Sequence, residues 1–180
     1  MNKTIDFRSD TVTIPNQEMR NAIANTELGD DVFQEDPTVN LLESKSASIM
    51  GKEAAILVPS GTMGNLASIL AHCDRGTEII LGNKSHTFVY EAGGISAFGG
   101  IHSRQIDNLE NGTMPLDSIK EAIRIDNVHF PQTSAISLEN THNMCFGSPL
   151  NEKYISSVSN IAKENNLKLH IDGARIFNAA

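Results

Sequence analysis

Short β-rich runs alternate with segments of helical apolar spacing along most of this chain. The predicted strands lie at residues 54–58, 77–81, 101–106, 134–138 and 167–171. The first contains the continuously apolar run Ile56, Leu57 and Val58, which is typical of a strand buried on both faces. Strands that alternate with helices indicate a mainly parallel sheet with helices on both faces. The sequence therefore predicts an α/β fold.

Local start and stop signals define the helices. Asp36 and Pro37 supply an N-cap and a first-turn proline, and Gly51 supplies the end of that helix. Apolar side chains in residues 63–70 and 154–162 repeat with the spacing of a helix face that packs on a sheet. We expect helices over all three segments.

The chain is predicted to form an N-terminal arm and one domain. Residues 1–35 contain a short helical pattern and an acidic loop, whereas the alternation of strands and helices occupies residues 36–180. The last strand ends near Asp172, and the sequence stops eight residues later at Ala180. Ligands collect at the carboxyl ends of strands in open α/β sheets. We therefore expect a truncated domain that lacks part of its site.

The charge balance excludes several kinds of partner. The 180 residues contain 14 Lys and Arg against 22 Asp and Glu, a formal net charge of -8. Binding to nucleic acid or to an anionic membrane requires clustered positive charge. No apolar run approaches the roughly 18 residues of a membrane span, and Cys73 and Cys145 lack the spacing of a metal site. We expect a cytoplasmic protein with no nucleic acid, membrane or metal partner.

A glycine-containing turn, Ser60 to Thr62, follows the first predicted strand and opens a helix. Backbone N–H groups at such a helix start, together with the helix dipole, form an anion site. The same residues also suit a plain tight turn in which Ser60 is an N-cap. Both interpretations stay open, with Gly61 and Thr62 as the candidate phosphate-binding residues.

Asp172 and Arg175 stand three residues apart at the end of the last predicted strand. A carboxylate there can hold a protonated ring nitrogen, and a guanidinium can donate to an oxyanion. The alternative is structural, with Asp172 capping the next segment and pairing with Arg175.

Three histidines, His86, His129 and His142, lie in loops that we expect to meet at one edge of the sheet. An imidazole can stack on a planar cofactor or transfer a proton near neutral pH. For each histidine alone, the alternative is a hydrogen-bonded loop residue. A shared edge favours a functional site.

Together these segments resemble those of low-specificity L-threonine aldolases, which are pyridoxal-phosphate enzymes of the aspartate-aminotransferase fold type (fold type I). Eight short segments match in the family's order over nearly all of the 180 residues. They are residues 7–13, 29–33, 36–40, 51–55, 60–62, 91–94, 137–143 and 170–176. The resemblance implies a fold type I large domain with pyridoxal 5'-phosphate as cofactor.

The resemblance assigns cofactor-binding roles at the matching positions. It implies that Gly61 and Thr62 bind the phosphate and that His86 stacks on the pyridine ring. It further implies that Asp172 pairs with the protonated ring nitrogen and that Arg175 donates to the ring oxygen.

The resemblance also implies substrate and proton-transfer residues. Ser9 matches a residue that seats the substrate carboxylate, and His86 and His129 match the histidines discussed as proton-transfer groups. A bound water is the alternative base. Phe33 stands where the family often has Tyr, so no hydroxyl is present there.

The implied reaction is the retro-aldol cleavage of a β-hydroxy amino acid, L-threonine or L-allo-threonine, into glycine and acetaldehyde. A homodimer or homotetramer is implied for the full-length family. The alternatives are β-elimination on aromatic amino acids by another fold type I lyase, and a non-catalytic α/β module.

Part of the family's pattern is not matched. In the family, the Schiff-base lysine, a substrate-binding arginine and a small C-terminal domain follow the matched region. The eight lysines of this chain occupy other positions: Lys3, Lys45, Lys52, Lys84, Lys120, Lys153, Lys163 and Lys168. We therefore expect the N-terminal portion of such an enzyme, inactive by itself.

Overall fold

The computed structural model describes residues 5–180. Contacts between these residues divide the chain into two units, one up to Leu57 and one from Val58 onward. The first unit contains a 3-10 helix, Asp10–Val12, and two α-helices, α1 (Gln17–Ala24) and α2 (Pro37–Met50). The residues predicted to form an arm and helix α2 both lie in this unit.

Helix α2 begins and ends where the sequence predicts. Asp36 Oδ1 accepts hydrogen bonds from the N–H groups of Thr38 and Val39, both at 2.9 Å, and Oδ2 accepts one from Gly29 at 3.1 Å. These backbone hydrogen bonds, that of Val39 first, hold the pKa of Asp36 below its ordinary value. Gly51 ends the helix in the left-handed conformation, with φ of 59°.

One strand prediction is wrong. Residues 54–58 form no strand, and the N–H of Leu57 donates to the Glu43 carboxylate at 2.7 Å. Ile56 is 81% exposed rather than buried on both faces. An apolar run becomes a strand only when a neighbouring strand supplies a hydrogen-bond ladder, which the sequence pattern does not guarantee.

The second unit is built on a parallel four-stranded sheet of order β2-β1-β3-β4, which confirms the predicted α/β class. Its strands are β1 (Glu78–Gly82), β2 (His102–Ile106), β3 (Thr133–Glu139) and β4 (Lys168–Asp172), each within one residue of a prediction. Its helices are α3 (Gly61–His72), α4 (His86–Val89), α5 (Gly94–Ala97), α6 (Leu116–Ala122), α7 (Glu152–Glu164) and α8 (Ile176–Ala179). Within residues 5–180, no helix has both the length and the apolar character required to cross a membrane.

Two apolar cores cover the two faces of the sheet. Successive side chains of a strand point to opposite faces, so Ile79 and Leu81 pack with Ile69 of α3 and Ile95 of α5. Ile80, between them, packs on the other face with residues of α6 and α7. The prediction of helices on both faces is confirmed.

The strand order reverses between β1 and β3. The chain runs from β1 outward to β2 on one side, and from β3 outward to β4 on the other. The loops that follow β1 and β3 therefore diverge, which is where open α/β sheets bind ligands. We call this end of the sheet, beyond the last residues of β1, β3 and β4, the carboxyl edge, and the opposite end the amino edge.

Candidate active site

Asp172 is the last residue of β4 and lies at the carboxyl edge, only 8% exposed. Its Oδ2 accepts a hydrogen bond from Nδ2 of Asn65 in α3 at 2.9 Å, and its Oδ1 accepts one from the N–H of Ala174 at 3.2 Å. A buried carboxylate requires such donors. Asp172 is therefore fixed between the end of its strand and helix α3.

The side chain of Asn65 joins several elements at the carboxyl edge. Besides Asp172, its Nδ2 donates to Glu91 Oε1 at 2.8 Å, and its Oδ1 lies 3.0 Å from His170 Nε2. Sequence analysis did not assign a role to Asn65 or Glu91. Asn65 stands four residues before the buried Ile69 on the same face of α3, so a polar residue on a buried helix face was the available signal.

His86 is the first residue of α4, in the loop region after β1. Its Nδ1 lies 2.9 Å from Glu91 Oε1, and its backbone N–H donates to Glu139 Oε2 at 2.7 Å. Its side chain is 37% exposed, whereas that of Glu91 is buried. His86 and Asp172, both predicted as site residues, are thus joined through Glu91 and Asn65.

The charges of this cluster favour a cationic donor. Polar atoms of His86, Glu91 and Asp172 lie within 4.8 Å of one another, a spacing that also suits a divalent cation. However, the Asn65 amide already donates to both carboxylates. Burial lowers the pKa of the adjacent His170, which keeps that imidazole neutral at pH 7. The donors that these two buried carboxylates already have are neutral. The carboxylates can therefore accept a hydrogen bond from a protonated ring nitrogen.

The predicted turn opens α3, and its N-cap is confirmed. Ser60 Oγ accepts a hydrogen bond from the N–H of Met63 at 3.1 Å. Gly61 and Thr62 are exposed, and a Cβ added at Gly61 would meet no atom within 4 Å. The backbone here is therefore open to a ligand at the positive end of a twelve-residue helix.

Helix α3 connects this turn to the residue that bonds to Asp172. Asn65, which bonds to Asp172, lies four residues after Gly61, which is about 6 Å along the helix axis. The turn and Asp172 therefore both lie near the start of α3, as binding of one molecule with an anionic group and a protonated ring nitrogen would require. The pyridoxal phosphate that the resemblance implies has this chemistry, so the residues present fit it.

Two further predicted residues lie in different parts of the chain. Arg175 is half-buried and directly precedes α8, three residues after Asp172. Ser9 belongs to the first unit, where its Oγ accepts from the N–H of Thr11 at 3.2 Å and caps the 3-10 helix. The ligand-binding roles of Arg175 and Ser9 stay predictions.

The expectation that three histidines share an edge is wrong for one of them. His86 and His142 lie at the carboxyl edge, after β1 and β3. His129 is exposed and lies before β3, at the amino edge, with its N–H donating to Asn127 Oδ1 at 2.9 Å. A residue that precedes a parallel strand lies at its amino end, so within one chain His129 is a strand length away from His86.

An open depression of about 480 Å³ also lies at the amino edge, with Arg124, Phe130 and Asn165 in its lining. The charged residues of its lining are Arg124 and Asp126, and Arg124 already pairs with the fully buried Glu78 at 3.3 Å. The carboxyl edge, where several buried titratable groups converge, is therefore the candidate active site.

Comparisons with known proteins show the family of this chain. The family model described as beta-eliminating lyase matches residues 6–180. A low-specificity L-threonine aldolase from Arabidopsis thaliana is 52% identical over 99% of this chain and 51% of its own length. The low specificity L-threonine aldolase of Escherichia coli K12 is 47% identical over 97% of this chain and 52% of its own.

Solved structures show the same fold. A threonine aldolase structure from Leishmania major matches with a TM-score of 0.59 and 23% identity, over 67% of this chain and 34% of its own. The chain spans about half the length of the curated relatives it matches. Since the family model covers nearly every residue, the chain belongs to the beta-eliminating lyase family.

Proposed function

We propose that this chain contributes to a pyridoxal-phosphate-dependent threonine aldolase that cleaves L-threonine and L-allo-threonine into glycine and acetaldehyde. The proposal rests above all on the hydrogen bond from Asn65 to Asp172, which ties a buried carboxylate to the helix whose first turn suits a phosphate. Because the chain spans about half its relatives' length, the activity is proposed for a polypeptide of that full length.

The cofactor, when bound, supplies an electron sink for breaking the bond between Cα and Cβ of the substrate. Asp172 would accept a hydrogen bond from its ring N–H and keep that nitrogen protonated. The backbone N–H groups of Gly61 and Thr62 would bind the phosphate. Arg175 would donate to the ring oxygen, and the His86 imidazole would stack on the ring.

His86 is also the proposed proton-transfer group on this chain. Glu91 engages its Nδ1 at 2.9 Å, which leaves Nε2 to take the proton from the substrate hydroxyl. The fixed orientation suits a general base, since proton transfer depends first on geometry. Ser9 is proposed to seat the substrate carboxylate.

His129 can take part in this chemistry only from a second copy of the chain, since it lies at the amino edge. We therefore propose a homo-oligomer, a dimer or tetramer, in which the His129 loop of one subunit faces the carboxyl edge of another. A cytoplasmic location is a separate proposal. Mixing an Asp172→Asn protein with a His129→Ala protein tests the homo-oligomer. Activity regained by the mixture supports sharing between subunits, and two inactive parents that stay inactive when mixed contradict it.

Product analysis tests the reaction. A full-length polypeptide containing this sequence, supplied with pyridoxal phosphate and L-threonine, is expected to release glycine and acetaldehyde in equal amounts. The family description favours β-elimination as the second candidate, in which an aromatic amino acid and water would give the released aromatic group, pyruvate and ammonia. Residues 1–180 alone are expected to give no turnover, since none of the lysines matches the family's position.

A further inference from the structure

We propose that Glu139 is a positioning residue that holds His86 at the carboxyl edge, with His142 packed beside it. Glu139 is the last residue of β3, and its side chain is 5% exposed. The inference rests on the proposed function for what His86 does, but only on the contacts below for how His86 is held.

The Glu139 carboxylate ties together the two loops that diverge at the strand-order reversal. Its Oε2 accepts a hydrogen bond from the His86 N–H at 2.7 Å, and its Oε1 accepts one from the Asn143 N–H at 2.8 Å. Hydrogen bonds to an ionised acceptor are shorter and stronger than neutral ones. Glu139 therefore fixes the loop after β1 against the loop after β3.

The start of helix α4 is hydrogen-bonded to this distant carboxylate. The preceding residue, Ser85, does not cap the helix with its side chain in the described structure, because its Oγ donates to the Gly82 carbonyl at 2.8 Å. The first N–H group of the helix, that of His86, goes instead to Glu139, 53 positions away. Glu139 thus accepts one of the N–H groups at the start of α4 that have no partner within the helix.

The position of His86 then sets the rest of the cluster. His86 Nδ1 meets Glu91 Oε1 at 2.9 Å, and Asn65 bridges Glu91 to Asp172 with bonds of 2.8 and 2.9 Å. A shift of the His86 backbone therefore moves its ring relative to Glu91. Displacements of an ångström in a site can cost about 100-fold in rate.

His142 closes the remaining side of the Glu139 carboxylate. It is 1% exposed, and its Nε2 lies 3.9 Å from Glu139 Oε2. Neither ring nitrogen has a hydrogen-bond partner among the described residues. The ring fits because position 112 is glycine with φ of +81°, where a Cβ would lie 2.7 Å from that of His142. His142 therefore restricts the Glu139 side chain by packing rather than by a hydrogen bond.

His142 stays neutral in this environment. Burial lowers its pKa most strongly, the charges of Glu139 and Asp172 oppose that effect, and the charge of Lys84 adds to it. A buried, neutral imidazole that lies beside a carboxylate without a hydrogen bond lowers the stability of the folded protein, so stability does not explain its presence. The arrangement is explained if it keeps Glu139 directed at His86.

The test is the NMR signature of the His86 ring, which a purely structural role of Glu139 would leave unmoved. The ring nitrogens of His86 are assigned in ¹⁵N-labelled protein without cofactor, as the signals that a His86→Gln variant lacks. Glu139→Gln replaces one carboxylate oxygen by an NH₂ group that cannot accept and leaves one neutral, weaker acceptor, so one of the two bonds is lost and the other is weakened. We expect the His86 ring signals to shift and broaden.

Glu78→Gln is the matched control, since Glu78 is also a fully buried glutamate but lies at the amino edge. It is expected to lower stability and to leave the His86 ring signals in place. Glu139→Asp is the milder variant for the case that Glu139→Gln does not fold. It keeps the charge but is one methylene shorter, so the 2.7 and 2.8 Å bonds cannot both persist.

His86 signals unchanged in a folded Glu139 variant would overturn the proposal, as would equal shifts in Glu78→Gln. Shifts confined to the Glu139 variants support it. A failure to cleave threonine would refute the proposed function and leave this ring result standing, because the spectra need neither substrate nor turnover.

Discussion

The two edges of the sheet both bury a glutamate at a strand end, and they satisfy it in different ways. At the amino edge, Glu78 of β1 is fully buried and accepts from Nε and Nη2 of Arg124 at 3.3 to 3.4 Å. His102 Nε2 lies 3.6 Å away, and Phe130 packs under the guanidinium at 5.0 Å. The charge is neutralised within one chain.

At the carboxyl edge, the buried carboxylates receive mainly backbone and amide donors. Glu139 accepts from two backbone N–H groups, and Glu91 and Asp172 share the Asn65 amide. His86 adds an imidazole that is partly open to solvent. Several acidic groups held in this way attract a cationic ligand group.

The difference separates stability from function. An ion pair closed by arginine behaves as a structural joint, because removing one partner leaves the other charge uncompensated. Carboxylates held by neutral donors from α3, α4 and the segments that follow β3 and β4 are pre-oriented for a ligand instead. We therefore expect mutations at the amino edge to lower stability more than activity, and mutations at the carboxyl edge to lower activity more than stability.

The largest expected effect is on activity at the carboxyl edge. Asp172→Asn keeps the shape but removes the charge that would hold a ring nitrogen protonated. We expect threonine cleavage by the full-length polypeptide to fall by about 100-fold or more. The measurement is the rate of acetaldehyde release with saturating cofactor, and Glu78→Gln is the control, expected to retain activity. An Asp172→Asn enzyme with normal rates would contradict the proposed role of this carboxylate.

The next effect is on stability at the amino edge. Glu78→Gln weakens the charged hydrogen bonds from Arg124, and we expect a loss of about 2 kcal/mol in the free energy of unfolding. Urea denaturation followed by circular dichroism measures it. If instead Glu78→Gln abolished cofactor binding and left the unfolding midpoint unchanged, the contrast between the edges would be wrong.

Features that depend on local sequence were predictable. Asp36, Pro37 and Gly51 specify α2 because caps act within a turn of the residue that makes them. Four strands were found from short apolar runs. Residues 54–58 were misassigned because a strand also needs a partner, which lies elsewhere in the chain.

Contacts between distant residues were not predictable. The bond from Asn65 to Asp172 joins residues 107 positions apart, and that from His86 to Glu139 joins residues 53 apart. Only the position of Asn65 on an apolar helix face hinted at a buried role. His129, in contrast, could have been placed correctly, since it precedes a predicted strand and must lie at the amino edge.

A smaller effect distinguishes two helix caps of the same kind. Ser60 caps α3 at the candidate phosphate site, and Asn151 caps α7 through the Tyr154 N–H at 2.9 Å. Ser60→Ala and Asn151→Ala should each cost about 1 kcal/mol of stability. Only Ser60→Ala should also weaken pyridoxal phosphate binding, by about fivefold for a loss of that size. Titration of the cofactor by absorbance checks this, and equal weakening by both variants would show that the α3 turn has no special role.

The smallest expected effect is on the pH dependence of stability, and it again contrasts the two edges. Burial lowers the pKa of His170 below its ordinary 6.5, with His72 adding to the effect and Asp172 opposing it. Between the lowered value and 6.5 the unfolded state binds more protons than the folded state, so stability falls as pH falls through this window. The slope is at most about 1.4 kcal/mol per pH unit.

His170→Gln, which keeps an amide donor for Asn65, should therefore reduce the difference between urea midpoints at pH 7.5 and pH 5.5. The exposed His129 supplies the control, since His129→Gln should leave this difference unchanged. If His170→Gln also left it unchanged, the half-buried His170 of β4 would not be responsible.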